Sequence, residues 1–167
     1  KDIIEPQLVA FSTSSSSATL PVTMATAEDN LGIKAPVASS VLPLGSTINM
    51  DGTALYVGIV ALFSAQALGI DLSIVDYAMI ALTTTLVSIG TAAVPSASLF
   101  LLAAVLSVIG VSDAQTGIIV GFLFAFDRPL DMMRTVVNVT GDLSVATAVA
   151  KWENEFDEEV FRADPKL

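Results

Sequence analysis

The chain has no cysteine and no histidine, and only 7 lysines and arginines stand against 17 aspartates and glutamates. Without thiols or imidazoles, disulfides, the usual zinc sites and Ser-His-Asp or cysteine catalysis are excluded. The net charge of −10 speaks against nucleic acid as a partner, because phosphate recognition needs clustered Lys and Arg. Charge of either sign is scarce: 14% of 167 residues, against about 25% in an average soluble domain. What is present is apolar, 53% of the chain, with a mean hydropathy of +0.75. That content excludes disorder, and no repeat period is visible. The composition is that of a membrane protein, or a piece of one, with the lipid bilayer as its solvent.

Between Ala35 and Phe126 the only charged residues are Asp51, Asp71, Asp76 and Asp113, and the 36 residues from Tyr77 to Ser112 carry none. A spanning helix needs about 20 apolar residues, so this run is too long for one simple span. It is interrupted by Ser88-Ile89-Gly90-Thr91-Ala92-Ala93-Val94-Pro95-Ser96-Ala97-Ser98, which is small, polar and rich in helix breakers. Two apolar arms around such a tip predict a re-entrant helical hairpin over 76–112, as at transporter sites. The alternative is two spans joined by a short external turn.

Near the start, Leu8-Val9-Ala10-Phe11 runs into Ser12 to Ser17 and then Ala18-Thr19-Leu20-Pro21. A serine run is usually a flexible linker. Apolar flanks and the nearby Pro21 favour a second hairpin tip, so 1–34 is expected to be a first hairpin, truncated. Asp2, Glu5 and Pro6 break up any signal peptide. With no initiator Met either, the chain is expected to begin partway into a larger protein.

Over 35–70, Asn49-Met50-Asp51-Gly52-Thr53 interrupts an apolar span, and Thr53 to Ile70 is an 18-residue uncharged stretch. A helix that unwinds there frees carbonyl oxygens beside an Asp, which suits a small hard cation. The alternative is a chance Asp facing the bundle interior. The last apolar segment, 113–150, carries Asp127, Asp131, Arg134, Asn138 and Asp142. At about 100° per residue they share one helical stripe with Thr135 beside it. Apolar flanks make that stripe the wall of a watery site inside the bundle rather than a solvated face. Pro129 should kink or restart this helix near the top of the stripe. After Lys151 the chain turns acidic, and 151–167 reads as a soluble tail.

Ser14-Ser15-Ser16-Ser17 before Thr19-Leu20-Pro21, Asn49-Met50-Asp51-Gly52-Thr53, Ser88-Ile89-Gly90-Thr91, and Asp131-Met132-Met133-Arg134-Thr135 with Asn138-Val139-Thr140-Gly141-Asp142 follow in order. Together they resemble the dicarboxylate/amino acid:cation symporter family of archaeal aspartate transporters and mammalian excitatory amino acid transporters. The resemblance runs to about Lys151. It implies an all-α membrane protein in which 1–150 is the C-terminal half of a transport domain, with two re-entrant hairpins and two transmembrane helices, one unwound. It also implies a multi-pass protein of the cell membrane, a homotrimer through scaffold helices missing here, and sodium-coupled uptake of an acidic amino acid by alternating access. No organic cofactor and no enzyme activity are implied.

By the same resemblance, Arg134 would pair with the substrate's side-chain carboxylate and Asp131 with its ammonium, while Thr135 and Asn138 add hydrogen bonds. Ser16 and the backbone of the first tip, with Ser14 and Ser15 beside it, would take the main-chain carboxylate, with Val94 and Ser98 closing the second tip and Thr53 nearby. Sodium ions would be held by Asp142 with Gly45, Asn49 and Asn138; by Thr47, Ser88, Ile89 and Thr91; and by Asn49 with Asp51. Relatives often carry a second Arg where this chain has Ser14 and Met132, which leaves Arg128 as the spare base. A four-carbon dicarboxylate would leave Asp131 without a partner, and a neutral amino acid would leave Arg134 without one. A non-transporting structural subunit would show no sodium dependence.

Overall fold

The computed structural model describes residues 2–165; Lys1 and the last two tail residues, Lys166 and Leu167, lie outside the described residues. Within them the chain is all-helical. The elements are α1 (Ile4–Thr13), α2 (Ser16–Asp29), α3 (Ala35–Ile48), α4 (Asp51–Ala67), α5 (Ile74–Ile89), α6 (Ala97–Val108), α7 (Asp113–Phe124), α8 (Asp127–Trp152) and α9 (Glu158–Arg162). One isolated antiparallel bridge joins Ile33 to Phe156.

Local chemistry explains the boundaries. Ser73 and Asp76 form a reciprocal capping box at the start of α5, and Ser112 and Gln115 form another at α7. Ser15 caps α2 by accepting the Ala18 N–H at 3.1 Å, while Ser14 takes a left-handed conformation (φ 52°). The chain therefore turns at Ser14 and Ser15, and Pro21 sits inside α2. The helical segment expected over 113–150, with a kink or restart at Pro129, is divided at Ala125 and Phe126. Pro129 is the third residue of α8; its ring excludes the carbonyl of Ala125, four residues back, from a continuing helix.

Two apolar cores form. Ala27, Leu31, Val37, Ala38 and Leu42 of the α2–α3 region pack on Leu143, Ala146 and Ala150 of α8. Tyr56, Val57, Val60 and Ala61 of α4 pack on Ile80, Leu99, Leu102, Val105 and Leu106 of α5 and α6, with Leu123 of α7. Helices α3 and α4 form one column that ends in a different core on each side of its break. Helix α8, about 39 Å long, touches α1, α2, α3 and α4. The polar residues lie between the cores, where α1–α2, α3–α4 and α5–α6 all interrupt.

The column 35–67 is the one apolar helical stretch among the described residues long enough to cross a bilayer; α5, α6 and α7 are apolar but shorter. Large side chains such as Phe100, Ile118, Phe124 and Trp152 point outward.

The tail is not free. The Asp157 N–H donates to the Gly32 carbonyl at 2.7 Å, and the Lys34 N–H donates to the Glu155 carbonyl at 3.0 Å. Lys34 and Glu155 also pair at 3.1 Å, and the Lys151 ammonium lies 4.8 Å from the Phe156 ring centre. In α9, the Arg162 hydrogen bond and charge hold Glu158 below the usual carboxylate range. Gly32 has φ +68°, and a Cβ there would overlap the Asp157 carbonyl. Gly32→Ala combines a left-handed penalty of about 1–2 kcal/mol with that overlap. It should release the tail, accelerating tryptic cleavage after Lys151 at least about tenfold, the equivalent of 1.4 kcal/mol. Wild-type cleavage kinetics in the variant would show that the tail is held by something else.

Candidate functional site

Helix α8 contributes one polar face with every member buried: Asp127, Asp131, Arg134, Thr135, Asn138 and Asp142. Arg134 Nη2 meets Asp131 Oδ1 at 2.7 Å one turn back, and Nη1 lies 3.6 Å from Asp127 Oδ1 two turns back. Its guanidinium carbon sits 4.8 Å from the centre of the Tyr56 ring on α4, a cation–π contact. Two carboxylates against one guanidinium leave the cluster with an excess of one negative charge. Asp127 Oδ1 and Arg134 Nη1 have no hydrogen-bond partner among the described residues. Buried charges of this kind are tolerated only when paired, and these two atoms face each other as an ion pair longer than a hydrogen bond.

Asn138 does a different job. Its Oδ1 accepts from the Gly52 N–H at 2.8 Å and from the Thr53 N–H at 3.4 Å; its amide nitrogen donates to Met50 Sδ at 3.2 Å and Thr53 Oγ1 at 3.3 Å. The first residues of a helix carry orphan N–H groups, and Met50 gives α4 no side-chain cap. Asn138 supplies that cap from a neighbouring helix. A turn further along, the Asn49 amide donates to Asp142 Oδ1 at 3.0 Å. Gly45 lies against the same carboxylate, and Asp51 lies against Gly141. Four of the residues expected to hold cations, Gly45, Asn49, Asp51 and Asp142, are thus gathered at the α3–α4 break. Thr47, Ser88 and Thr91 each donate their hydroxyl to a carbonyl of the preceding helical turn. Ser88 and Thr91 are buried, while Thr47 and Ile89 are exposed.

Both helix-pair tips close over the α8 face. The Ser15 hydroxyl donates to the Ala93 carbonyl at 2.7 Å, joining tip to tip. The Ser96 N–H donates to Asp131 Oδ2 at 2.8 Å, and its hydroxyl donates to Asp127 Oδ2 at 2.6 Å. A cavity of about 10 Å³ remains, lined by Ser14, Ser16, Thr53, Val94, Ser98, Asp131, Arg134, Thr135 and Asn138, with Met50, Thr91 and three tip alanines. Of the expected substrate residues only Ser15 is missing from the wall, because it caps α2 and ties the tips together. The volume is about that of one water. The hydroxyls of Ser14 and Ser98 are buried without a hydrogen-bond partner among the described residues.

The family model for the sodium:dicarboxylate symporter family matches residues 1–152. The chain belongs to this family. It is 45% identical over 142 residues to an excitatory amino acid transporter of Caenorhabditis elegans, covering 85% of this chain and 27% of that protein. Excitatory amino acid transporter 2 of Mus musculus is 46% identical over 140 residues, 84% of this chain and 24% of that protein. The proton/sodium-glutamate symport protein of Bacillus subtilis (strain 168) is 44% identical over 150 residues, 90% and 34%. The chain thus spans a quarter to a third of the relatives it matches. Sodium:dicarboxylate symporters are membrane transporters, not enzymes, and the chain is a membrane protein on that ground.

The geometry brings three further residues into contact with those expected to bind substrate. Asp127 pairs with Arg134; it lies on the α8 stripe, so its helical position signalled it. Tyr56 lies one turn after Thr53, and only its contrast with the aliphatic residues around it could have drawn notice. Ser96 lies in the interrupted tip that the sequence marks, but nothing in residue order showed that its N–H and hydroxyl reach across to α8. Arg128, the spare base, is exposed, and its Nη2 donates to the Ser12 carbonyl at 3.5 Å, outside the cavity wall.

Proposed function

We propose that the chain forms the binding core of a sodium-coupled symporter for an acidic amino acid, working by alternating access in the cell membrane. In this reading residues 1–150 are the C-terminal part of a transport domain. The pairs α1–α2 and α5–α6 are re-entrant hairpins, α3–α4 is a transmembrane helix unwound at Asn49 and Met50, and α7–α8 form the last span. The full protein is a homotrimer through its scaffold helices. Arms α5 and α6 have 16 and 12 residues, fewer than the roughly 20 a complete crossing needs, which supports the hairpin reading.

The observation that carries the substrate assignment is the buried Asp127–Asp131–Arg134 cluster between two tips whose inner hydroxyls lack partners. An acidic amino acid has one ammonium and two carboxylates. Asp131 suits the ammonium, the planar fork of Arg134 suits the side-chain carboxylate, and Ser14, Ser16 and Ser98 supply neutral donors for the other. Thr135, Asn138, Thr53 and Val94 complete the wall. Sodium is carried as co-substrate by the oxygen-rich groups at the α3–α4 break and by carbonyls of Thr47, Ser88, Ile89 and Thr91, hard ligands for a hard cation. Each inward charge contributes about 2.3 kcal/mol per 100 mV, so a few sodium ions drive a steep accumulation.

Uptake of radiolabelled aspartate and glutamate by the full-length protein in proteoliposomes tests this. Accumulation should require an inward sodium gradient; uptake indifferent to sodium, or preference for succinate, would refute it. Asp142→Asn should raise the sodium concentration for half-maximal uptake at least about tenfold, because a charged ligand becomes neutral. Substrate affinity should drop at low sodium and recover partly at high sodium, since the two ligands are linked. An unaltered sodium curve would remove Asp142 from the cation site.

A further inference from the structure

The residue that closes the second tip is an unusual choice for its position. Ser96 has φ +60°, a left-handed conformation that costs a non-glycine residue about 1–2 kcal/mol. It precedes α6 at the N-cap, where a serine hydroxyl ordinarily accepts an N–H of its own helix, yet it makes no such bond. Both of its donors cross to α8 instead. The N–H fills Asp131 Oδ2 at 2.8 Å and the hydroxyl fills Asp127 Oδ2 at 2.6 Å. Arg134 already occupies Asp131 Oδ1 at 2.7 Å. The carboxylate assigned to the substrate's ammonium therefore has each of its oxygens taken by the protein itself.

We propose that Ser96 latches the second tip shut over the site by taking up Asp127 and Asp131, and that an arriving ammonium group must displace it. The inference rests on the acidic amino acid reading and names a positioning residue within that site. The hydroxyl bond to a charged, buried acceptor is of the strong class. It stabilises this closed arrangement, whose inner space is only about 10 Å³. Binding an amino acid requires far more room, so the tip must lift and the Ser96 bonds must break first. The latch thus opposes substrate binding and favours return of the empty carrier. Breaking it is coupled to recognition because the same carboxylate serves both partners in turn.

Ser96→Ala and Ser96→Gly both delete the hydroxyl; the glycine variant also relieves the left-handed strain, so at least one variant should fold normally. In full-length protein reconstituted in proteoliposomes, each should bind aspartate at least about threefold more tightly. Each should also lose at least about threefold more net uptake than exchange, since only net uptake requires the empty carrier to return. A purely structural role for Ser96 would change neither quantity in this direction. A second measurement is independent of transport. The segment contains no cysteine, so Ser98→Cys, nearly isosteric and only 1% exposed, reports tip opening by its reaction with a small thiol reagent. In an otherwise cysteine-free background without substrate, adding Ser96→Ala or Ser96→Gly should speed labelling at least about fivefold. Unchanged labelling in both variants, or weaker aspartate binding with an unchanged ratio of net uptake to exchange, overturns the latch. Faster labelling in a protein that takes up no acidic amino acid sustains the latch and refutes the transport reading instead.

Discussion

Arg134→Cys is expected to lower affinity for acidic amino acids at least about tenfold and to admit small neutral ones such as serine and alanine. A bidentate guanidinium–carboxylate bond in a partly dehydrated site contributes about 1.5–3 kcal/mol, and 1.4 kcal/mol is one decade. Asp131 and the tip serines remain to hold the ammonium and main-chain carboxylate of a neutral substrate. The structure adds a second expected effect. Arg134 is the partner of both Asp131 and Asp127, so its removal strands two buried carboxylates, at a cost of about 3–5 kcal/mol. The variant should melt lower in detergent when empty and regain stability as substrate or sodium is added. Arg134→Lys should keep more stability than affinity, because an ammonium neutralises the pair without the planar fork. Competition uptake with aspartate, glutamate, serine and succinate, alongside melting curves, separates the two effects. Wild-type aspartate affinity together with rejection of serine would move the substrate carboxylate elsewhere.

Gly52→Ala should be among the most damaging single-methyl additions in the chain. A Cβ at this position would overlap the backbone carbonyl of Arg134, and no side-chain rotation relieves a contact between two backbones. Helices α4 and α8 would have to separate. That movement pulls the Gly52 and Thr53 N–H groups from Asn138 Oδ1 and lifts Tyr56 from the guanidinium. Overpacking and two weakened buried hydrogen bonds together should amount to about 3 kcal/mol or more. Thermal unfolding of the full-length protein should fall by several degrees, with substrate affinity lost in parallel. A variant that melts with the wild type would show that the two helices have slack there.

Much of this was open to a reading of residue order. Helical content, the tips around the serine run and around Val94-Pro95-Ser96, the interruption at Asn49–Asp51 and the shared face of Asp127 through Asp142 all follow from spacing and helix breakers. Those are local properties of a chain with a 3.6-residue repeat. The division of 113–150 was half-legible. Pro129 announced a fault, but the break falls four residues earlier because the proline ring acts on the carbonyl of Ala125. The segment 151–167 reads as an acidic soluble tail, and its composition gave no sign that two backbone bonds to Gly32 and Lys34 would dock it.

What the sequence determined by itself is which charged residues are able to form a buried site: charges are so few that the stripe from Asp127 to Asp142 stands out against the apolar background. Only the tertiary structure decided how those groups are spent. Asn138 is committed to capping α4, Arg134 is shared between two carboxylates, and Ser96 and Ser15 use their donors to shut the tips. Hydrogen-bond partners such as these lie far apart in the chain, 93 residues for Asn49 and Asp142. Nothing in local spacing specifies them. They are chosen when helices pack, because each buried donor or acceptor must find whichever partner the packing brings within reach.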